Sequence, residues 1–280
     1  MRTLKLQTPP MSGSDVARWQ QFLTNWGAFP GAIDGVYGPA SDRATREYQA
    51  RGGLGADGVV GLATYGQAVR DGFAGAWPGM DASVDCAPFA ASLAAAGMKF
   101  VARYYSRFAG KAMTRAEALA LSRAGLHVAA VYQDAHDDIR YFSSVLGLES
   151  ASRALAQAAA VGQPAGSAIY FAADFDPTPA QLSGPMMDHF RALARAFSAA
   201  PTQYAVGVYG SGLACRTIRD EGLAAYTWLS GSTGYRESDS FRPLANLVQV
   251  APSRTICGGR LSIDDDVAQT ASFGAFQVMG

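Results

Sequence analysis

Apolar positions in the first seventy residues recur at helical spacing. Val16, Trp19, Leu23 and Trp26 stand three or four apart behind the polar run Ser12-Gly-Ser14-Asp15, which predicts a capped amphipathic helix. A second helix carrying Ala44 and Tyr48 should end at Gly52-Gly53, the glycine signal of a helix C-terminus, and a short third helix should begin near Leu62. Between them lie two Asp-Gly turns, Asp34-Gly35 leading to Gly38 and Asp57-Gly58 leading to Gly61. Glycine there supplies backbone conformations that are costly for any residue with a side chain. A small three-helix domain is therefore predicted over residues 1–71, followed by a Gly- and Pro-punctuated linker, GFAGAWPG, from Gly72 to Gly79.

Beyond the linker the period changes from helical to strand-like. β-rich runs stand near 79–84, 99–105, 127–133, 168–174, 204–209, 226–229, 246–250 and 261–265, with Ala-rich helical stretches between them. Thr114 followed by Glu117 reads as a capping box, Thr178-Pro179 places proline at a first helical position, and Gly162 before Pro164 stops another helix. Eight strands with helical crossovers over 79–280 predict an α/β domain, a (β/α)8 TIM-like barrel, preceded by the small three-helix domain. A doubly wound open sheet is the alternative.

Composition narrows the function classes. A length of 280 residues suits two folding units at roughly 150 residues each. With 49% hydrophobic and 16% charged residues the chain is not a disordered tail. The 23 Lys and Arg balance 23 Asp and Glu, so no long-range positive field exists to hold nucleic acid or an anionic membrane. No apolar run reaches the roughly 18 residues of a spanning helix, and MRTLKLQTPP lacks the apolar stretch of a secretory signal. Cys86, Cys215 and Cys257 are too scattered for a zinc cage or a disulfide framework and are expected as buried thiols, with a Cys86 to Cys257 bridge as the alternative. Neither a metal nor a cofactor is expected. Gln133 to Asp138 (QDAHDD) lacks a second histidine, no closed calcium loop follows Asp264 to Asp266, and Gly207 to Gly212 (GVYGSG) is not a dinucleotide fingerprint.

In a TIM-like barrel the chemistry sits where the strands reach their C-terminal ends. Those positions hold carboxylates, aromatics and an amide: Asp81, Tyr104, Tyr105, Tyr132, Asp134, Asp174, Asp176, Tyr209, Trp228, Gln249 and the run from Asp264 to Asp266. The most pointed element is IYFAADFD, residues 169–176. Residues i and i+2 of a strand face the same side and rise about 6.6 Å together, which predicts Asp174 and Asp176 both in the barrel mouth. That spacing falls between the ranges of about 5–5.5 Å and 6.5–9.5 Å used by retaining and inverting glycosidases, so it leaves the stereochemistry open. Like charge and partial burial would raise the pKa of one acid and leave its partner ionised. The plain alternatives are an Asp-rich turn that caps the helix after Pro177, and ordinary core packing for Tyr209 and Trp228.

Residues 14–69 resemble the peptidoglycan-binding domain of the three-helix type, on DVARWQQFL, IDGVYGPASDRATREYQ and GLGADGVVGLATY with its doubled D-G-x-x-G element. Residues 79–280 resemble the glycoside-hydrolase-like family of unknown function numbered 1906, itself similar to glycoside hydrolase family 25 lysozymes, on GMDAS, FVARYYS, IYFAADFD, GVYGSG, TWL and the late acidic strand. The resemblance implies an acidic cluster including Asp81, with Asp174 orienting the acetamido group of an amino sugar and Asp176 standing where those lysozymes carry a glutamate acid. Tyr209, Trp228 and Gln249 match positions that line the sugar groove, and Tyr104, Tyr132, Asp264 and Asp266 complete the candidate substrate-binding set. Aspartate is one methylene shorter than glutamate, and a shortfall of about 1 Å can cost around a hundredfold in rate.

The expectation is a muramidase-like glycoside hydrolase that anchors on peptidoglycan glycan strands and cleaves β-1,4 bonds between amino sugars with an Asp pair. The alternative is a carbohydrate-binding protein on an inactive lysozyme-like barrel. Lacking an export signal, the chain would reach the wall after lysis, as a phage endolysin does, or by a dedicated secretion machine. The second route implies an antibacterial effector countered by an immunity protein.

Overall fold

The structure, a computed structural model, describes residues 1–73, 75–250 and 253–280. The chain divides into two compact units, Met1–Ala76 and Trp77–Gly280.

The first unit holds helices α1 (Ser14–Asn25), α2 (Pro39–Arg51) and α3 (Leu62–Arg70), with two-residue strands β1 (Met11–Ser12) and β2 (Val36–Tyr37) paired antiparallel. Trp19, Phe22, Tyr48 and Phe73 are buried and meet with ring centroids 5.3 to 6.1 Å apart. One device is used twice. Gln20 of α1 donates from Nε2 to Asp34 Oδ1 and the Val36 carbonyl, and its Oε1 accepts the Gly35 N–H. Gln49 of α2 does the same with Asp57 Oδ1, the Val59 carbonyl and the Gly58 N–H. Each clamp holds one Asp-Gly turn. Gly58 needs its glycine, because its φ is 71° and a Cβ there would fall 2.1 Å from Asp42 Oδ1. The polar run before α1 does not cap it through a side chain. Gly13 is the N-cap residue, and Asp15 instead pairs with Arg2 at 2.7 Å.

The second unit is a closed eight-stranded barrel with helices in its connections. Seven strands, β3 (Trp77–Asp81), β4 (Phe100–Tyr105), β5 (His127–Tyr132), β6 (Ala168–Ala172), β7 (Ala205–Gly210), β8 (Tyr226–Leu229) and β9 (Leu247–Gln249), run parallel. Helices α4 (Ala90–Ala95), α5 (Arg115–Arg123), α6 (Ser144–Val161), α7 (Pro179–Gln181), α8 (Met187–Ala199), α9 (Gly212–Asp220) and α10 (Ser238–Phe241) lie between them.

Closure departs from the expected helical crossover. Short strand β10 (Arg254–Ile256) turns back into β11 (Leu261–Ala268), and β11 pairs antiparallel with both β9 and β3. Residues 250–260 are too few for a parallel crossover, which needs about a dozen residues or more, usually a helix. The eighth strand therefore enters at the mouth and runs down, so its acidic residues reach the mouth from its N-terminal half.

Alternate residues fill the barrel. Phe100, Ala102, Ala129, Val131, Ala168, Tyr170, Ala172, Trp228, Leu247 and Ala268 point inward, and Phe273 from the tail packs among them. Two inward positions are glycine because aromatic rings occupy their space. A Cβ at Gly79 would lie 2.3 Å from the Phe100 ring, and one at Gly207 would lie 2.6 Å from the Tyr170 ring.

Helix signals hold in part. Thr178 and Gln181 form a full capping box, and Gly162 ends α6 with φ 83°. Thr114 accepts the Glu117 N–H, but the Glu117 carboxylate does not return to the cap. It turns inward to Arg103, the Nε–Oε1 distance being 2.5 Å, and also accepts the Cys86 N–H. All three cysteines are free, and Cys86 and Cys215 are buried. No helix among the described residues is long and apolar enough to cross a membrane.

Candidate functional site

Because the strands alternate inward and outward, the last inward position of each strand comes to the barrel mouth. Each of the eight barrel strands supplies one polar residue there, on the strand or just past its end: Asp81, Tyr104, Gln133, Asp174, Tyr209, Ser230, Gln249 and Asp264. They line a cavity of about 220 Å³ with Val131, Ala172, Trp228 and Ser232. That is somewhat below the 300–1,000 Å³ of drug-sized pockets and suits one sugar ring better than several.

The polar groups are bound to one another. Tyr104 Oη donates to Asp81 Oδ1 at 2.8 Å, and Gln249 Nε2 donates to Asp81 Oδ2 at 3.1 Å. Gln249 Oε1 accepts the Tyr209 hydroxyl and the Gly231 N–H, so this one amide ties three strands to a loop. Gln133 Nε2 donates to Asp174 Oδ2 at 3.2 Å, and Lys111 Nζ donates to Gln133 Oε1 at 2.9 Å while lying 4.1 Å from the centre of the Tyr104 ring. Ser253 Oγ donates to Asp264 Oδ1 at 2.5 Å. Trp228 is at once core and floor. Its ring packs edge-on against Tyr209 at 5.1 Å, and its Nε1 donates to the buried Asp266 at 2.9 Å.

Burial sets the charge of this bowl. It pushes Asp81 up to about 6 in spite of the Tyr104 and Gln249 hydrogen bonds, with the Asp264 charge adding to the effect. Burial and then the Asp81 charge hold Asp266 well above the ordinary carboxylate range. Asp81 and Asp266 are thus a coupled carboxyl pair in which burial raises both members. Burial also raises Asp174, against the opposing pull of Gln133 and Lys111. Lys111 is itself lowered by burial, and the charges of Asp174, Asp81 and Asp134 resist that shift. The result is a bowl in which burial favours the protonated form of Asp81 and Asp174 beside aromatic faces, with carboxyl, amide and hydroxyl groups to meet the hydroxyl and amide edges of a sugar.

The structure brings Asp81, Tyr104, Asp174, Tyr209, Trp228, Gln249 and Asp264 together and leaves three candidates outside. Asp176 does not line the cavity. β6 ends at Ala172, so the i, i+2 rule of a strand has lapsed four residues later, and the carboxylate pairs with Arg236 Nη1 at 2.6 Å and accepts the Arg236 N–H. Tyr132 is outward-facing, out of step with Val131 and Gln133, and its hydroxyl donates to Asp134 Oδ2. Asp266 lies beneath the bowl, 1% exposed, one inward layer below Asp264 on β11. Sequence reasoning passed over Gln133 and Ser230, although period two from Val131 and Trp228 points to both. Lys111 comes from the loop between β4 and α5 and carries no periodic signal.

The barrel with its acidic, aromatic-lined mouth is a glycoside-hydrolase-like domain by its family match. The chain belongs to the family described as Rv2525c-like, glycoside hydrolase-like domain, whose model matches residues 91–268, and residues 12–67 match the model described as "Putative peptidoglycan binding domain". Two uncharacterized proteins of Bacillus subtilis (strain 168) are similar: YbfG, 33% identical over 118 residues, and FadG, 29% identical over 152 residues. The matches cover 40% and 52% of this chain but only 16% and 26% of those two proteins. The crystal structure of the Tat-secreted protein Rv2525c of Mycobacterium tuberculosis, in complex with L-tartrate, superposes with a TM-score of 0.59 at 24% identity, covering 72% of this chain and 98% of that one, and shares the barrel fold.

Proposed function

We propose that the chain is a peptidoglycan-directed protein whose barrel holds one amino sugar of a glycan strand. The carrying observation is the mouth itself, to which every barrel strand contributes a polar group around Tyr104, Tyr209 and Trp228. Its carboxylates and amides suit the polar rim of a pyranose and its aromatic rings suit the apolar face. The first unit, with its two clamped Asp-Gly turns, acts as the wall anchor, and tethering raises the local concentration of the same polymer at the bowl. Action outside the cytoplasm follows from that ligand.

Binding is favoured over hydrolysis by the state of Asp176. Its side chain is tied to Arg236 outside the bowl, so Asp174 does not face Asp176 across it as the expected Asp pair requires. Hydrolysis is the second reading, favoured by one observation: burial raises Asp174, which faces the cavity and is suited to carry a proton to a leaving oxygen.

Co-sedimentation of the full chain with purified sacculi, coupled to a reducing-end assay, separates the two. Sedimentation without new reducing ends supports the binding reading. Release that Asp174→Asn abolishes supports hydrolysis, and a chain that stays in the supernatant overturns both.

A further inference from the structure

A second cavity, of about 450 Å³, lies on the outer side of β5, where Tyr132 and Asp134 alternate with the inward Val131 and Gln133. Three guanidinium groups flank it, from Arg107, Arg140 and Arg153. None of the three side chains makes a hydrogen bond among the described residues. Their nearest carboxylate oxygens stand at 3.9 Å (Arg107 to Asp134), 3.4 Å (Arg140 to Asp138) and 3.6 Å (Arg153 to Asp134). Asp134 is already engaged, because it accepts from Ser106 Oγ, the Arg107 N–H and the Tyr132 hydroxyl. Each guanidinium is thus in loose ion-pair contact with a carboxylate, Arg153 with Glu149 as well at 3.9 Å, and keeps N–H donors that are not used in a close hydrogen bond.

The histidine at the back of this cavity is unusual. His136 is 6% exposed, its Nδ1 meets no partner, and its φ of 139° is one that side-chained residues rarely adopt. Its carbonyl accepts the Asp174 N–H at 2.8 Å, so the same residue backs the outer cavity and holds the backbone of a bowl residue.

We propose that this outer cavity is a subsite for the free carboxylate of a short peptide. A planar carboxylate matches the forked donors of arginine. Among the lining residues the three guanidinium groups outnumber the carboxylates of Asp134 and Glu149 by one, and Asp138 stands beside Arg140 outside the lining, a weak positive balance that suits a monoanion better than a phosphate dianion. Tyr141 and Leu146 give the cavity an apolar wall fit for a small aliphatic side chain next to the carboxylate. The inference is independent of the sugar reading, because the probe that tests it contains no sugar.

The test titrates the full chain with N-acetyl-alanyl-alanine, in its D and L forms, and with the corresponding C-terminal amides, by calorimetry and amide chemical shifts. The free acid of one or both forms is expected to bind and to shift Arg107, His136 and Tyr141, with its amide at least tenfold weaker. The double change Arg107→Gln with Arg153→Gln should lower affinity for the acid at least tenfold. If that double variant unfolds, R107Q alone, at a half-exposed side chain, makes the same comparison. Equal binding of acid and amide, no binding of any form, shifts confined to the bowl, or tighter binding of inorganic phosphate than of the dipeptides would each overturn the proposal.

Discussion

Gln249 shows how one side chain can organise a site. Its amide joins Asp81 on β3, Tyr209 on β7 and the Gly231 N–H after β8, so cutting it back removes one hydrogen bond from each of three polar groups near the bowl, Asp81 keeping Tyr104 and Tyr209 keeping Ser230. A hydrogen bond of this kind is worth about 1 kcal/mol net, and more when a buried group is left unsatisfied. Gln249→Ala is accordingly expected to weaken the binding of a chitin-type oligosaccharide about tenfold or more by calorimetry. Asp176→Asn should change that affinity less than twofold, because Asp176 sits outside the bowl, and its partly exposed pair with Arg236 should cost at most about 1 kcal/mol in a denaturant titration. A sugar affinity that falls as far with Asp176→Asn as with Gln249→Ala would return Asp176 to the site. Asp81, Tyr104, Tyr209 and Gln249 were legible because each is the last inward residue of a strand whose period is plain. Asp176 was misplaced because the same period was carried past the end of β6, where no ladder maintains it.

Among the elements, α5 is fastened to the barrel by a buried ion pair. Arg103 and Glu117 are 0% and 1% exposed, and Arg103 Nη1 also donates to the Ala82 carbonyl at 2.6 Å, next to Asp81 at the mouth. Removing one member of such a pair leaves a buried charge uncompensated, at about 3–5 kcal/mol. Glu117→Ala is expected to lower the denaturant midpoint by that order, and Arg103→Met with Glu117→Leu together should recover much of the loss. A loss below about 1 kcal/mol for Glu117→Ala would show that the pair does not hold α5. Thr114 and Glu117 at capping-box spacing were visible in the sequence, yet the box reading assigned Glu117 to the helix end. Its true partner is on β4, and only packing α5 onto the barrel brings the two together.

At the scale of the whole molecule, buried titratable groups set opposing pH limits. Asp81, raised to about 6, and Asp266, raised well above the ordinary carboxylate range, keep a proton in the folded chain at pH values where the unfolded chain has released it. Their contribution is full below about pH 4 and is lost as the pH rises through the raised values, about 6 for Asp81. His136 and His189 act in the other direction. Burial lowers them to about 4 and about 3, so the unfolded chain takes up protons first as the pH falls below about 6.5, and stability drops with it. Between about pH 4 and 6.5 the two effects oppose each other, and thermal melts across pH 4 to 9 are expected to show that compensation. Asp266→Asn, which keeps an acceptor for Trp228 Nε1, should remove the carboxyl contribution and steepen the loss of stability toward acid. An unchanged profile in that variant would remove the carboxyl pair as a cause.

Period-two alternation and glycine punctuation in the chain were enough to place eight strands, the polar residues at their ends and two Asp-Gly turns, because these depend on backbone propensity and on which side successive residues face. Closure into a barrel rather than an open sheet, and the Gln20 and Gln49 clamps, came from the structure. Tertiary structure alone decided that the eighth strand runs downward, that Arg236, 60 residues away, takes the Asp176 carboxylate, and that Lys111 leans over Tyr104. The physical reason is range. Local spacing constrains each residue's own dihedral angles and facing, whereas strand direction and loop partners are set by contacts that exist only once the barrel has closed.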